Sequence, residues 1–134
     1  MDWQDQSAAN LPLIQIATDE KIYLFHRLTR LPPSLRKLFE NEKIKKVGVA
    51  ISGDLAKISR KFEIEAKGGV DLRSIRNESG SLEEMAREYL KIKISKSDSV
   101  RRSKWSQKLT SNQIIYAATD AEISLKVYRC LTEN

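Results

Sequence analysis

The sequence predicts an α/β fold in which a mixed β-sheet is flanked by helices. Strand patterns and helix patterns alternate along the chain, which is typical of this class. With 134 residues, of which 40% are hydrophobic, the chain can build one core and hardly two. Since no repeat, low-complexity tract or linker divides the sequence, we expect a single domain over residues 1–134.

The first half of the chain contains most of the predicted strands. Residues 11–18 and 21–25 have the apolar patterns of a β-hairpin with a polar turn between them. Residues 31–39 predict a short helix that begins at a proline pair and keeps three apolar side chains on one face. Residues 44–51 alternate and then run apolar, as a mostly buried strand does. A helix is expected next, over residues 53–62.

The second half of the chain is predominantly helical. A glycine pair first leads into a strand that we expect at residues 70–75. Ser81 and Glu84 then predict a capping box for one helix. Thr110 and Gln113 predict another capping box, which begins the last and longest helix.

Composition excludes several classes of protein. No apolar run approaches the length of a membrane span, so none is expected. Cys130 is the single cysteine, which excludes an internal disulfide and a cysteine-based zinc site. With His26 as the single histidine, ordinary zinc chemistry is almost excluded as well. We therefore expect an intracellular, reducing compartment.

The chain is basic, with a formal net charge of +6. Such a balance favours anionic partners such as nucleic acid, although solvation of the surface explains the charge equally well. Much of the positive charge lies in residues 91–108, which we call the basic loop. This loop is either a track for phosphate groups or a solvated connection. Its basic residues are Lys91, Lys93, Lys96, Arg101, Arg102, Lys104 and Lys108.

The last helix carries the first candidate site residues. Tyr116 and Asp120 lie one turn apart, on a side that also carries Val127 and Leu131. An acid on a partly apolar side needs a hydrogen-bonding partner, a metal ion or a cleft. An aspartate bonded to a neighbour at the edge of the core satisfies the same pattern. The stripe predicted to face the core consists of Ile114, Ala118, Ala121, Leu125 and Tyr128.

The second candidate is Asp54, in the turn between a buried strand and a helix. Ligand sites of α/β folds gather at such strand ends, and Gly53 allows the backbone to turn tightly. The alternative is that Asp54 only stabilises the first helical turn through the helix dipole.

Five segments form an ordered set of motifs along the chain. They are residues 13–18 with 23–25, residues 46–48 leading to Gly53-Asp54-Leu55, Ser81-Leu82, Lys104-Trp105-Ser106, and Tyr116 to Ala121 with its tyrosine–aspartate spacing. In this set, over about residues 11–131, the chain resembles the DEDDy-type 3′–5′ exonuclease domains. The Werner-syndrome type is most similar, and the RNase D type is next.

The resemblance implies a ribonuclease H-like exonuclease fold that hydrolyses phosphodiester bonds at the 3′ ends of DNA or RNA. In this family, two divalent cations about 4 Å apart activate water and stabilise the leaving oxygen, and oxygen ligands suit Mg²⁺ or Mn²⁺. By resemblance, Asp54 and Asp120 are metal ligands and Tyr116 orients the attacking water. Trp105 is expected to be a structural anchor, and the family's usual location is the nucleus. The residues implied to hold the substrate backbone are Arg101, Arg102 and Lys104.

The family's first motif, Asp-x-Glu followed by an aromatic residue, is incomplete in this chain. If the motif is aligned on Trp3, Asp2 takes the glutamate position as a further metal ligand, and the preceding aspartate falls before Met1. An alignment that starts at Asp2 places Gln4 at the glutamate position instead. The remaining alternative is that Asp2 is a frayed terminal residue with no role.

The resemblance also implies an N-terminally truncated domain, because the family's central strand would largely precede residue 1. Without that strand, residues 11–18 and 44–51 lose a shared neighbour and expose unpaired edges. Three explanations follow. The chain is a truncated product, a partner chain or second copy completes the sheet, or the domain is catalytically degenerate and binds nucleic acid or a protein.

Overall fold

The computed structural model describes residues 11–94, 98–101 and 103–133. Within these ranges, no helix is both long enough and apolar enough to span a membrane. All of the candidate site residues fall inside the described ranges except Asp2 and Arg102.

The predicted hairpin is confirmed. Strands β1 (Leu13–Ala17) and β2 (Ile22–His26) pair in antiparallel fashion over their full lengths. The turn is closed by Thr18, whose N–H donates to the Lys21 carbonyl at 2.8 Å. The Thr18 hydroxyl oxygen also accepts from the Lys21 N–H at 3.2 Å. A threonine before a polar turn therefore fixes the register of the two strands.

Two parallel strands with a crossover helix follow the hairpin. Helix α1 (Pro33–Glu40) has a proline in its first turn, where the missing N–H costs nothing. Strand β3 (Lys46–Gly48) leads into helix α2 (Ile51–Phe62) and then strand β4 (Gly69–Asp71). β3 and β4 pair in parallel, with their last residues opposite one another. Both strands are shorter than predicted, because the apolar patterns continue into the adjoining turns.

The predicted strand over residues 70–75 is wrong from residue 72 onward. Leu72–Ile75 form a short helix, α3. It begins there because the Asp71 side chain accepts a hydrogen bond from the Arg73 N–H at 3.0 Å, as a helix cap does. Leu72 and Ile75, the apolar residues at the two ends of α3, are three positions apart. This spacing is typical of a helix, but the segment is too short for periodicity to distinguish a helix from a strand.

The remaining elements are helical. Helix α4 (Leu82–Met85) continues directly into a π-helical turn (Ala86–Leu90). A short helix α5 (Asp98–Arg101) lies within the basic loop, and the long helix α6 (Ser111–Thr132) follows it.

Both predicted helix starts are confirmed. The Ser81 Oγ accepts from the Glu84 N–H at 3.2 Å, which confirms the serine cap. The Glu84 carboxylate accepts from the Ser81 hydroxyl group rather than from the Ser81 N–H, so the predicted capping box is not complete there. At the start of α6, the Thr110 Oγ1 accepts from the Gln113 N–H at 3.1 Å while the Gln113 Oε1 accepts from the Thr110 N–H at 2.9 Å. A cap of this kind stabilises a helix by about 1 kcal/mol.

The strands form two sheets in the described residues rather than the single mixed sheet that the sequence predicts. β1 pairs only with β2, and β3 pairs only with β4, in this part of the chain. The physical reason is that no described strand lies between β1 and β3 to join them. Completion of the sheet by another chain stays a prediction.

Helices cover both faces of the strands, as the predicted α/β class requires. Side chains alternate along β1. Ile14 consequently packs in a cluster with α1 and α2, whereas Leu13 packs with Trp105 and Ala117. Val47 of β3 lies in the cluster that α3, α4 and α6 form. The strands therefore lie between α1 and α2 on one side and α6 on the other.

The buried face of α6 differs from the predicted one. Ile114, which the sequence assigned to the core stripe, is 44% exposed. At about 100° per residue, the buried residues fall within about 60° on either side of Asp120. Apolar residues occupy more than one side of this helix, so periodicity alone does not identify the side that packs on the sheet. The buried residues are Gln113, Ala117, Ile123, Val127 and Leu131.

Candidate active site

Asp54 lies in the first turn of α2, directly after β3. The chain turns sharply there because Ala50 adopts a left-handed conformation with φ of 57°. The Ala50 carbonyl accepts a hydrogen bond from the Gly53 N–H at 3.3 Å. The Asp54 carboxyl is half-buried, and burial raises its pKa. The positive charge of Lys57 acts in the opposite direction but does not outweigh burial. The end of β3 thus carries an acid whose negative charge is poorly solvated.

Asp120 lies at the centre of the buried face of α6 and is itself half-buried. Burial raises its pKa to about 6, and the negative charge of Glu83 on α4 contributes in the same direction. A carboxyl group in such surroundings needs a proton or a cation to offset its charge. The influence of Glu83 is not predictable from the sequence, because nothing in the pattern pairs residue 83 with residue 120.

Asp54 and Asp120 lie on different helices that both pack on β3. α2 packs on β3 and β4, and α6 packs on β3. Within residues 11–94, 98–101 and 103–133, no three histidine, cysteine or acidic side chains are grouped so as to hold a metal ion. In the described part of the chain, Asp54 on α2 and Asp120 on α6 are therefore not joined by a third ligand in a metal-binding cluster. Asp2, the further predicted ligand, lies outside the described residues.

Tyr116 lies one helical turn before Asp120 on α6. The two side chains share one side of the helix, as their spacing predicts. The Tyr116 ring contacts Trp105, with ring centroids 6.1 Å apart and ring planes inclined by 52°. A tilted pair of this kind is a favourable aromatic geometry. Trp105 therefore limits the positions that the Tyr116 ring can take.

Trp105 anchors the basic loop to its neighbours. The side chain is 4% exposed, and its indole N–H donates to the Arg101 carbonyl at 3.0 Å. The Trp105 carbonyl accepts a hydrogen bond from His26 Nε2 at 2.7 Å, which ties the loop to the end of β2. A side chain enclosed to this degree has no free face for a base. The prediction that Trp105 is a structural anchor is confirmed, and His26 is part of that anchor.

Gln113 ties the basic loop to α6 at a second point. Besides its part in the capping box, its Nε2 donates to the Ser103 Oγ at 2.8 Å and to the Lys104 carbonyl at 3.3 Å. Gln113 is 3% exposed, so these bonds satisfy a polar group that water cannot reach. The sequence predicts Gln113 as a cap residue but carries no signal for this second task.

The predicted backbone-binding residues are unevenly placed. Arg101 is the last residue of α5 and is half-buried, whereas Lys104 is exposed beside the Trp105 anchor. Arg102 lies outside the described residues. Lys104 is therefore the more exposed of the two predicted residues that the structure describes, and a role in binding phosphate stays a prediction. In the described part of the loop, the other exposed basic residues are Lys91, Lys93 and Lys108.

The donor chemistry of Asp54 and Asp120 fits a hard divalent cation. Carboxylate oxygens are the protein ligands that Mg²⁺ and Mn²⁺ favour. A bound cation would also offset the poor solvation that raises the pKa of both groups.

Comparison with known proteins gives consistent results. A sequence profile described as 3′–5′ exonuclease matches residues 4–134. The bifunctional 3′–5′ exonuclease/ATP-dependent helicase WRN of Mus musculus is 37% identical over 133 residues, which make up 92% of this chain and 10% of that protein. A 3′–5′ exonuclease of Drosophila persimilis is 36% identical over 137 residues, 91% of this chain and 39% of the relative. The chain therefore spans well under half of the length of either relative.

Among solved structures, Brucella melitensis NrnC bound to pGG is similar, with a TM-score of 0.76 and 22% sequence identity. The match covers 90% of this chain and 62% of that one. At this level of identity the likeness concerns the fold. It confirms the ribonuclease H-like exonuclease fold that the sequence motifs predict.

Proposed function

Since the chain belongs to the family of 3′–5′ exonuclease domains, we propose that it hydrolyses phosphodiester bonds at the 3′ ends of DNA or RNA. The observation that carries the proposal is the position of Asp120 at the centre of a buried helix face, with its pKa raised to about 6. An acid in such a place costs stability, so a chemical task explains it better than packing does. Tyr116, one turn away, supports the same conclusion.

In this proposal, Asp54 and Asp120 hold the divalent cations, Mg²⁺ or Mn²⁺. Such cations supply an activated water and stabilise negative charge on the leaving oxygen. Asp54 reaches them from the first turn of α2 and Asp120 from the middle of α6. Because both carboxyl groups are half-buried, water competes less with a cation for their oxygens. Asp2 is proposed as a further ligand from the first motif.

The other residues of the proposed site orient the reactants. Tyr116 holds the attacking water through its hydroxyl group, and Trp105 keeps the Tyr116 ring in place. Arg101, Arg102 and Lys104 contact the phosphate backbone of the substrate. Contacts of this kind fix the position of a nucleic acid without reading its sequence.

The direct test is release of nucleotides from end-labelled single-stranded DNA and RNA, with Mg²⁺ or Mn²⁺ present. We expect metal-dependent shortening from the 3′ end. Tyr116→Phe should lower kcat by about 100-fold, because it removes the hydroxyl group that orients water but keeps the ring against Trp105. Tyr128→Phe, on the same helix and also half-buried, is the matched control and should remain active.

Two results of that assay contradict the proposal. A folded wild-type chain that releases no nucleotide with either metal argues against the nuclease function as a whole. A Tyr116→Phe variant as active as the control argues only against the role of Tyr116 in orienting water.

The pKa of Asp120 predicts how metal binding depends on pH. Because the folded-state pKa of about 6 lies above the unfolded value, the folded chain holds the extra proton and loses stability as pH rises through about 4 to 6. A cation that replaces the proton should bind only above this window. Mn²⁺ should therefore raise Tm more at about pH 7.5 than at about pH 5. Thermal melts with and without Mn²⁺ measure this, and an equal shift at both pH values would contradict it.

A degenerate module that binds nucleic acid or a protein without cleavage is the second candidate function. The observation that favours it is the lack of a three-residue acidic cluster among the residues that the structure describes. In the assay above it would appear as salt-sensitive binding of the labelled strands with no release of nucleotides.

The proposal extends to the assembly and location of the chain. The separation of β1–β2 from β3–β4 in the described residues supports completion of the sheet by a partner chain or a second copy. The single cysteine supports an intracellular location. A nuclear location is proposed from the similarity to an exonuclease that also carries a helicase.

A further inference from the structure

Asp71 joins two turns at the edge of the β3–β4 pair. It is the last residue of β4 and lies opposite Gly48, the last residue of β3. One carboxylate oxygen accepts from the Ala50 N–H at 3.1 Å, and the other accepts from the Arg73 N–H at 3.0 Å. The same side chain thus holds the turn that follows each of the two strands.

The contact with Ala50 matters because the turn has an unfavourable backbone conformation and no side-chain cap. Ala50 has φ of 57°, a left-handed conformation that is unfavourable for a non-glycine residue. Ala50 also occupies the N-cap position of α2, and alanine has no side-chain acceptor to offer there. Asp71, from the neighbouring strand, instead accepts from the N–H of Ala50 itself and so fixes the residue at which the turn enters the helix.

A short chain of bonds leads from Asp71 to Asp54. The Ala50 N–H is held by Asp71, and the Ala50 carbonyl accepts from the Gly53 N–H at 3.3 Å. Gly53 directly precedes Asp54 in the first turn of α2. The direction in which the Asp54 side chain points from α2 therefore depends on the turn that Asp71 holds.

Arg73 keeps the Asp71 carboxylate charged and fixed in direction. Its Nε donates to one oxygen at 3.1 Å and its Nη2 to the other at 2.8 Å. The hydrogen bonds from the Arg73 side chain lead the interactions that hold the pKa of Asp71 below its usual range. An ionised acceptor makes a stronger hydrogen bond to a backbone N–H than a neutral one does.

We propose that Asp71 is a positioning residue for Asp54: it fixes the turn between β3 and α2 and so presents Asp54 to the divalent cation. The binding of a cation by Asp54 rests on the proposed function, whereas the fixing of the turn is a property of the folded chain itself. Outer-shell residues of this kind typically change metal affinity by about 10–100-fold when they are replaced.

The first part of the test needs no metal and no activity. Amide hydrogen exchange is measured by NMR in the wild-type chain, in Asp71→Ala and in Arg73→Gln. Without the charged acceptor, exchange at residues 50–54 should be about 10-fold faster in Asp71→Ala, with α6 unaffected. Arg73→Gln, which leaves the bond to Ala50 in place, should have a smaller effect. Asp71→Asn serves as a second variant of the same size if Asp71→Ala does not fold.

The second part measures Mn²⁺ binding by electron paramagnetic resonance and the Mn²⁺ dependence of cleavage. Asp71→Ala should raise the Kd for Mn²⁺ by about 10-fold or more and leave kcat at saturating Mn²⁺ within about threefold of wild type. Unchanged exchange at residues 50–54 would overturn the inference, and so would an unchanged Kd. If the wild-type chain neither binds Mn²⁺ nor cleaves, the proposed function fails, and the exchange result alone then decides whether Asp71 fixes the turn.

Discussion

Replacing Asp120 with asparagine should reduce the release of nucleotides by at least about 100-fold. Loss of an outer-shell residue already costs a metal site about 10–100-fold, and Asp120 is proposed as a direct ligand. Asparagine has nearly the same shape but no negative charge, so the change removes the proposed ligand without opening a cavity. The measurement is kcat/KM for single-stranded DNA and RNA at saturating Mn²⁺.

The same variant should be at least as stable as the wild-type chain near neutral pH. The pKa of Asp120 is raised to about 6, so its ionised form is disfavoured in the folded state. One pKa unit corresponds to about 1.4 kcal/mol, and the charge of Asp120 therefore costs on the order of a few kcal/mol at about pH 8. Asparagine removes this cost in part, because its amide group is still polar and half-buried. Thermal melts in the absence of metal measure the difference.

Glu122→Gln is the matched control for Asp120→Asn. Glu122 lies on the exposed side of the same helix, where it pairs with Lys126 at 2.7 Å. An exposed pair of this kind contributes little, so activity and stability should both stay near wild type. If Asp120→Asn were less stable but equally active, Asp120 would be a structural aspartate and the nuclease proposal would lose its central observation.

Replacing Trp105 with alanine should lower the free energy of unfolding by about 3–5 kcal/mol. The side chain is 4% exposed and packs with Leu13 and Ala117, so its loss opens a large cavity between β1 and α6. Domains of this size have total stabilities of about 5–15 kcal/mol, so the variant should be close to unfolding at 37 °C. Urea denaturation followed by circular dichroism measures the change.

Trp105→Phe separates packing from hydrogen bonding. Phenylalanine keeps an aromatic ring but cannot donate to the Arg101 carbonyl, whose bond to the Trp105 indole is 3.0 Å long. The loss of one such hydrogen bond costs about 1 kcal/mol. We expect Trp105→Phe to fold, with a moderate loss of stability and a lower kcat from a less constrained Tyr116. A Trp105→Ala variant as stable as wild type would show that the basic loop is not anchored through this residue.

The features that the sequence predicts correctly are local ones. The hairpin turn at Thr18 and the capping box of Thr110 with Gln113 depend on side chains that bond to backbone groups within three residues. The positions of Tyr116 and Asp120 on one helix side follow from spacing alone. Each of these predictions needs only a few neighbouring residues, and for this reason a single sequence is sufficient.

The errors arise where distant segments decide the outcome. The face of α6 that packs on the strands is chosen by Leu13 and Val47, which lie in other elements, and not by the helix's own pattern. The extent of the predicted strand at residues 70–75 depends on how Asp71 caps the next helix. The supporting contacts of Asp71 to Ala50 and of Gln113 to Ser103 also join separate segments. A single sequence contains no sign of such pairings.

The bond between His26 and the Trp105 carbonyl has a consequence for the order in which the chain folds. It joins residues 79 positions apart, which is more than half of the chain. Contacts of such long range form slowly, because most of the intervening chain must first be ordered. We therefore expect the hairpin and α6, whose own hydrogen bonds are local, to form as separate elements before the segment around Trp105 joins them. Refolding should regain helical content first and enclose the tryptophan last.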